Sequence, residues 1–149
     1  IVVDVDVHHG NGTAAIFAQD PAVYTLSIHQ FRNYPAIKPP SDCDIHLEDG
    51  VEDAAYLSAL KPKLLQALDE HKPELLFYVA GADPYMHDQL GGLRLTIDGL
   101  RQRDELVLGE AVKRKIPFVV TLAGGYAHDV ADTVAIHANT ALVAEKLLG

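Results

Sequence analysis

Residues 1–13, IVVDVDVHHGNGT, decide how the chain is read. Asp4, Asp6 and His8 alternate with Val3, Val5 and Val7 in a run whose β-branched residues otherwise describe a buried strand. Alternate residues of an extended strand share a face, so two carboxylates and an imidazole come to lie on one side. Unpaired charges there are costly, and a metal ion is the first candidate to compensate them.

Outward from this stretch, apolar β-branched runs alternate with longer amphipathic segments. That is the pattern of an α/β protein with a mainly parallel sheet. Strands are expected at residues 1–7, 23–29, 74–81 and 117–125, and helices at about 13–19, 52–71, 97–115 and 128–148. The second helix carries Leu57, Leu60, Leu64, Leu65 and Leu68 at helical spacing, with Pro62 as an expected irregularity. The third follows Thr96 as N-cap, carries its charge on RQRDE, and turns Leu100, Val107, Leu108, Ala111 and Val112 inward. Residues 30–50, rich in proline and without periodicity, read as a long surface loop of the kind that often serves function.

The 149 residues suffice for one domain with one core, and 48% hydrophobic with 22% charged residues sets disorder aside. A net charge of −9 argues against a directly bound nucleic acid, which needs clustered Lys and Arg, and is compatible with a cationic substrate. The single cysteine, Cys43, forms no internal disulfide, which fits an intracellular, cytoplasmic location. No apolar run is long enough to span a bilayer, so no membrane partner is expected. The chain starts without Met inside a strand-like run, as the later part of a longer domain would; oligomeric state is not legible.

In open parallel sheets ligands bind beyond the carboxyl ends of the strands, and the unusual residues collect there. The first strand ends in Asp6, His8, His9 and GNG, the third in Asp83, and the fourth in AGGY with Tyr126. Asp6, His8 and Asp83 would supply two oxygens and a nitrogen, a set that suits catalytic Zn²⁺ with a position left open for water. Tyr126 would reach over the open side to donate to an oxyanion, and the chemistry implied is metal-assisted hydrolysis of an amide or ester. Each feature alone has a plainer reading: D-x-H is easily met by chance, and a strand-end Asp commonly caps a helix. Their convergence on three strand ends favours the metal. His29 reads as a structural hydrogen-bonding residue, His46, His71, His128 and His137 as solvated, and His87 as exposed. Tyr24, Tyr56 and Tyr78 read as packing residues.

The strings DVDVHHGNGT, TLSIHQ, AGADPYMHDQLGGL and TLAGGY, in this order, resemble the zinc-dependent histone deacetylase family of the arginase/deacetylase superfamily. SIHQFRNYP, GVEDAAYL and RDELV look most like its class IV branch and bacterial relatives. The resemblance implies that residues 1–149 are the C-terminal part of a single deacetylase catalytic domain, with a partial arginase/deacetylase-like fold, a three-layer α-β-α arrangement with helices on both faces of the sheet. It implies zinc ligation by Asp6, His8 and Asp83 and a catalytic Tyr126. It gives Asp4 a supporting role and, with Asp6, His8, Ser27 and Ile28, a place around a monovalent cation, K⁺. It places Asn11 where a carboxylate or amide orients a histidine, puts Tyr34, Leu90 and Gly125 along a substrate tunnel, and assigns Gly124 and Gly125 to the turn presenting Tyr126. Ala123 stands where many relatives have glycine.

The family's general acid-base histidine pair lies upstream of the first zinc-ligand strand, and His8 with His9 is not that pair, since His8 is needed on the metal. The isolated chain is therefore expected to be inactive or nearly so, with general acid-base catalysis worth about 10²–10⁴ missing. The expected substrate is an acetylated, or longer acylated, lysine peptide or protein, or an acetylated small amine. Two other readings stand beside this one. An arginase-like ureohydrolase would need carboxylates where Gly10 and Gly81 stand. A non-catalytic acyl-lysine-binding module would have no evident use for Tyr126.

Overall fold

The computed structural model describes residues 1–149. Five parallel strands form one sheet in the order β3-β2-β1-β4-β5, with β1 Val2–Asp4, β2 Thr25–Gln30, β3 Cys43–Leu47, β4 Leu76–Ala80 and β5 Phe118–Leu122. The helices are α1 Asn11–Phe17, α2 Asp53–His71, α3 Ile97–Lys113 and α4 Val130–Leu148. The α/β reading and its parallel sheet stand. No helix is long and apolar enough to cross a membrane.

The register sorts the side chains into two faces. Val3 pairs with Leu26 and Tyr78, so these point the same way; all three are buried in one core with Tyr56, Leu60, Leu64 and Leu68 of α2 and Leu100, Val107 and Leu108 of α3. Asp4 pairs with Ser27 and Val79, which occupy the opposite face. There α1 borders a cavity of about 810 Å³ together with Val2, Phe77, Val79 and Thr121. The second helical layer is thus represented by α1 alone, and Phe77 and Val119 stay exposed.

Two expectations need correction, and one charged run behaves unusually. Residues 30–50 are not one loop, because β3 extends the sheet edge. Its short alternation buries Ile45 and Leu47 and turns Asp44 and His46 to the other face, a pattern easily lost among prolines and acids. Helix α2 runs continuously through Pro62. The charged run of α3 is not all solvated, since Arg103 and Asp104 are fully buried. The N-cap at Thr96 is as expected, its side chain accepting from Gly99 N–H at 2.9 Å.

The first strand is shorter than its sequence suggests, for a reason that bears on the site. Backbone N–H groups that would continue the ladder are taken by carboxylates: Asp6 N–H donates to Asp4 Oδ1 (3.1 Å), Val7 N–H to Asp83 Oδ1 (2.8 Å) and His8 N–H to Asp6 Oδ1 (2.9 Å). The alternation survives nonetheless, with Val3, Val5 and Val7 completely buried.

Candidate metal centre

Asp6, His8 and Asp83 meet where β1 and β4 end, and one potential ligand atom from each lies within 4.8 Å of the others. His8 Nδ1 is 2.9 Å from Asp6 Oδ1 and 3.3 Å from Asp83 Oδ2. The longer approach lacks hydrogen-bond geometry, so Asp83 Oδ2 is a buried carboxylate oxygen without a partner. Such an atom is costly to bury and marks a place for a ligand. Gly124 completes the cradle: its N–H donates to Asp6 Oδ2 at 2.9 Å, and a Cβ there would stand 2.0 Å from Asp83 Oδ2 and 2.9 Å from Asp6 Oδ2. Two carboxylates, an imidazole nitrogen, an unpartnered buried oxygen and a glycine-cleared space fit a zinc ion.

Without a cation between them, the carboxylates act on the imidazole. Hydrogen bonding to Asp6, then the Asp83 carboxylate 3.3 Å away, raises the His8 pKa to about 10. Burial raises that of Asp83. Burial also works upward on Asp6, but the His8 ring and the N–H groups of His8 and Gly124 outweigh it and hold the acid low. Behind them Asp4 is raised to about 7 by burial.

Asp4 and Ser27 are register partners, and Ser27 Oγ accepts from Gly10 N–H at 3.2 Å. These two expected cation-binding residues therefore share one edge, with Ile28 next along β2. Asn11 starts α1, and its side chain joins none of these contacts. His9 turns away from the centre: Nε2 lies 3.1 Å from Asp44 Oδ1, and the ring stands edge-on to His29 at 4.6 Å. His29 is a structural residue as expected, with Ser27 Oγ at 3.0 Å and His46 Nδ1 at 2.9 Å. His46 is thus tied into the sheet face rather than merely solvated, and His137 is half-buried in α4 rather than free, its Nδ1 buried without a partner. Tyr56 and Tyr78 are core residues; Tyr24 lies partly buried against His71.

Tyr126 and the tunnel candidates rim the centre. Tyr126 is 60% exposed, Tyr34 70% and Leu90 53%. Tyr34 faces His8 edge-on with ring centroids 6.5 Å apart. On its Cβ side Gly125 packs against α4 and the β4 end, since a Cβ there would meet Thr133 Cγ2 at 2.7 Å and Ala82 Cβ at 3.0 Å. The residue as a whole is half-buried.

Several residues that organise this rim escaped the sequence reading. Asp88 accepts from Leu90 N–H (2.7 Å) and Gly91 N–H (2.8 Å) with Oδ1 and from Tyr126 N–H (2.6 Å) with Oδ2. One side chain thereby fixes both the Leu90 loop and the backbone of Tyr126. Asn33 joins the Tyr34 loop to Leu90, donating to its carbonyl at 2.9 Å. The signal for Asp88 was present as D-x-x-G-G, an aspartate that can turn the chain onto its own side chain. At Gly10 a Cβ would stand 2.5 Å from Asp4 Oδ2, and at Gly81 one would stand 2.6 Å from Asp6 Cα. Neither position has room for the additional carboxylate of a two-metal site.

Comparison with known proteins gives a consistent picture. The model of the histone deacetylase domain matches residues 1–142. An uncharacterized protein of Picosynechococcus sp. is 42% identical over 137 residues, covering 92% of this chain and 46% of its own length. Histone deacetylase 2 of Arabidopsis thaliana is 33% identical over 138 residues, covering 91% of this chain and 36% of its own. The crystal structure of acetylpolyamine aminohydrolase from Burkholderia pseudomallei superimposes with a TM-score of 0.80 at 26% identity, over 98% of this chain and 44% of that one. The chain spans less than half the length of these relatives.

Proposed function

The chain belongs to the histone deacetylase family, and from that premise we propose that it carries the metal centre of a zinc-dependent hydrolase that removes acetyl or longer acyl groups from lysine side chains or small amines. The observation that carries this reading is the set of Asp6, His8 and Asp83 around a buried, unpartnered carboxylate oxygen. Zinc held there would polarise an amide carbonyl and acidify a water molecule.

The chain's own residues have distinct tasks. Asp6, His8 and Asp83 would hold the ion, and His8 would have to give up its ring proton to do so. Gly124 fixes Asp6 through its N–H and clears the space beside Asp83. Tyr126, held through its N–H by Asp88, presents its hydroxyl to the oxyanion that develops as the carbonyl is attacked. Tyr34 and Leu90 bracket the approach of the acylated chain, and Asp4 with Ser27 provides a seat for K⁺. The net charge of −9 favours an amine-bearing substrate over an anionic one.

His9 has no part in proton transfer to substrate, because its side chain is fully buried against Asp44. Residues 1–149 by themselves are accordingly expected to show little or no turnover. The crowding at Gly10 and Gly81 counts against an arginase-like two-metal alternative. The test is acetate release from an acetyl-lysine peptide and from an acetylated polyamine, comparing this chain with the full-length gene product, with and without Zn²⁺. Zinc-dependent release by the full-length product alone is expected. Silence from both with zinc bound would move the assignment to a non-catalytic acyl-lysine-binding module.

A further inference from the structure

The fully buried pair Arg103 and Asp104 is a larger commitment than a helix needs. Arg103 is 0% exposed, and its Nε and Nη2 donate to Asp104 Oδ1 at 3.0 and 2.8 Å. Tyr78 hydroxyl donates to the same oxygen, and Thr140 Oγ1 donates to Asp104 Oδ2 at 2.6 Å. Helix α3 is thereby tied to β4 and α4. The remaining arm of the guanidinium leaves the pair altogether. Nη1 donates to Gly81 O at 2.7 Å and, more weakly, lies 3.4 Å from Val5 O.

Those two carbonyls have a particular place in the chain. Val5 immediately precedes Asp6, and Gly81 stands two residues before Asp83. Both lie just past the last residues of β1 and β4, where the ladder is ending: Val5 N–H still donates to Val79 O at 3.1 Å, and the Val5 and Gly81 carbonyls face Arg103. The two segments touch closely, for a Cβ on Gly81 would stand 2.6 Å from Asp6 Cα. A planar guanidinium can hold two acceptors and a carboxylate at once, which an ammonium cannot do with the same geometry.

We infer that Arg103, held by Asp104, is a positioning residue for the metal centre: it clamps the Val5 and Gly81 carbonyls and so sets the separation of the strand ends that deliver Asp6, His8 and Asp83. This rests on the metal reading above and adds a residue behind the ligands. Groups behind metal ligands commonly alter affinity by about 10- to 100-fold.

The test is Co²⁺ titration of the full-length gene product, read by the visible absorption of the bound ion, in parallel with denaturant unfolding. Arg103→Lys keeps a buried positive charge beside Asp104 but loses the fork. It is expected to fold, to bind Co²⁺ about tenfold more weakly, and to show a shifted absorption band. Arg103→Met with Asp104→Leu removes both charges and leaves the carbonyls unclamped; it is expected to bind at least as weakly as the lysine variant. Tyr78→Phe removes one bond to Asp104 and leaves both carbonyl contacts; it should lose stability and keep the affinity and the band. Unchanged Co²⁺ affinity and spectrum in Arg103→Lys would overturn the inference and leave a structural ion pair. So would an equal weakening in Tyr78→Phe, because affinity would then merely follow stability. Failure of the unaltered protein to bind Co²⁺ would overturn the metal reading itself, and the inference with it.

Discussion

Two buried charged clusters lie on either side of the Val5 and Gly81 backbone, and they are built on opposite plans. Around Asp104 every charge is answered: Arg103, Tyr78 and Thr140 all donate to it. Around Asp83 one oxygen is answered, by Val7 N–H, and the other has no hydrogen-bond partner, only the His8 ring at 3.3 Å. A saturated cluster holds elements together. An open one, with a buried carboxylate oxygen that lacks a hydrogen-bond partner, has the chemistry that suits a cation. Exchanging the chemistry of each cluster should therefore have different consequences, in the fold for one and in ligand binding for the other.

The largest effect is expected from Asp104→Leu. It leaves the Arg103 charge buried without a counterion, and breaking one side of such a pair costs about 3–5 kcal/mol. Denaturant unfolding should show that loss; a change below about 1 kcal/mol would mean that water or a rearranged partner reaches Arg103. In the open cluster, Asp83→Asn should leave the fold largely intact, since the amide oxygen can still accept from Val7 N–H. It should lower Zn²⁺ affinity by at least about 100-fold, measured by competition with a chelating dye. Retention of zinc by this variant would require a different ligand set.

Tyr126→Phe separates holding from chemistry within the open cluster. In the full-length product it should leave zinc bound and lower turnover by about 10²–10³, because the hydroxyl is exposed at the rim and is no part of the ligand set. Full activity in this variant would remove the oxyanion role. Gly124→Ala should act on the other side of the division. The added methyl meets Asp83 Oδ2 and Asp6 Oδ2, so the carboxylates must move, and Zn²⁺ affinity should fall by about tenfold with a smaller loss of stability.

The open cluster was legible in the sequence because its residues break a pattern. Asp6 and His8 interrupt a valine run, and Asp83 follows another apolar strand. The saturated cluster was harder to see because charged residues on a helix ordinarily face water. Yet Arg103 and Asp104 stand three and four residues after Leu100 and before Val107 and Leu108, on the stripe that α3 buries. Helical spacing places them inward; only the expectation that charge is solvated conceals it. Strand β3 was missed for a related reason. At a sheet edge only Ile45, Leu47 and the half-buried Cys43 face the core, too few residues to outweigh the prolines before them.

His29 offers the smallest and most conditional test, because it belongs to neither plan: both ring nitrogens are engaged, by Ser27 and His46 rather than by a carboxylate. Burial, reinforced by the nearby His9 and His46, lowers its pKa from 6.5 to about 4. In the unfolded chain the ring takes a proton as pH falls past 6.5, while the folded chain resists until about 4. The unfolded state then binds more protons within that window, so the contribution of His29 is fully present above pH 6.5 and is lost as pH falls towards 4. Asp4 acts in the opposite sense, since an acid raised by burial loses stability as pH rises through 3.8 to about 7. The total slope of stability with pH mixes these with the other shifted groups, Asp83 among them. The difference between the unaltered chain and His29→Asn isolates the ring, because asparagine cannot take the proton. Denaturant unfolding of the metal-free protein across that window should show a shallower rise of stability with pH in the variant. Parallel curves would mean that His29 protonates within the folded sheet, with His46 or Asp44 rearranging to accept the charge.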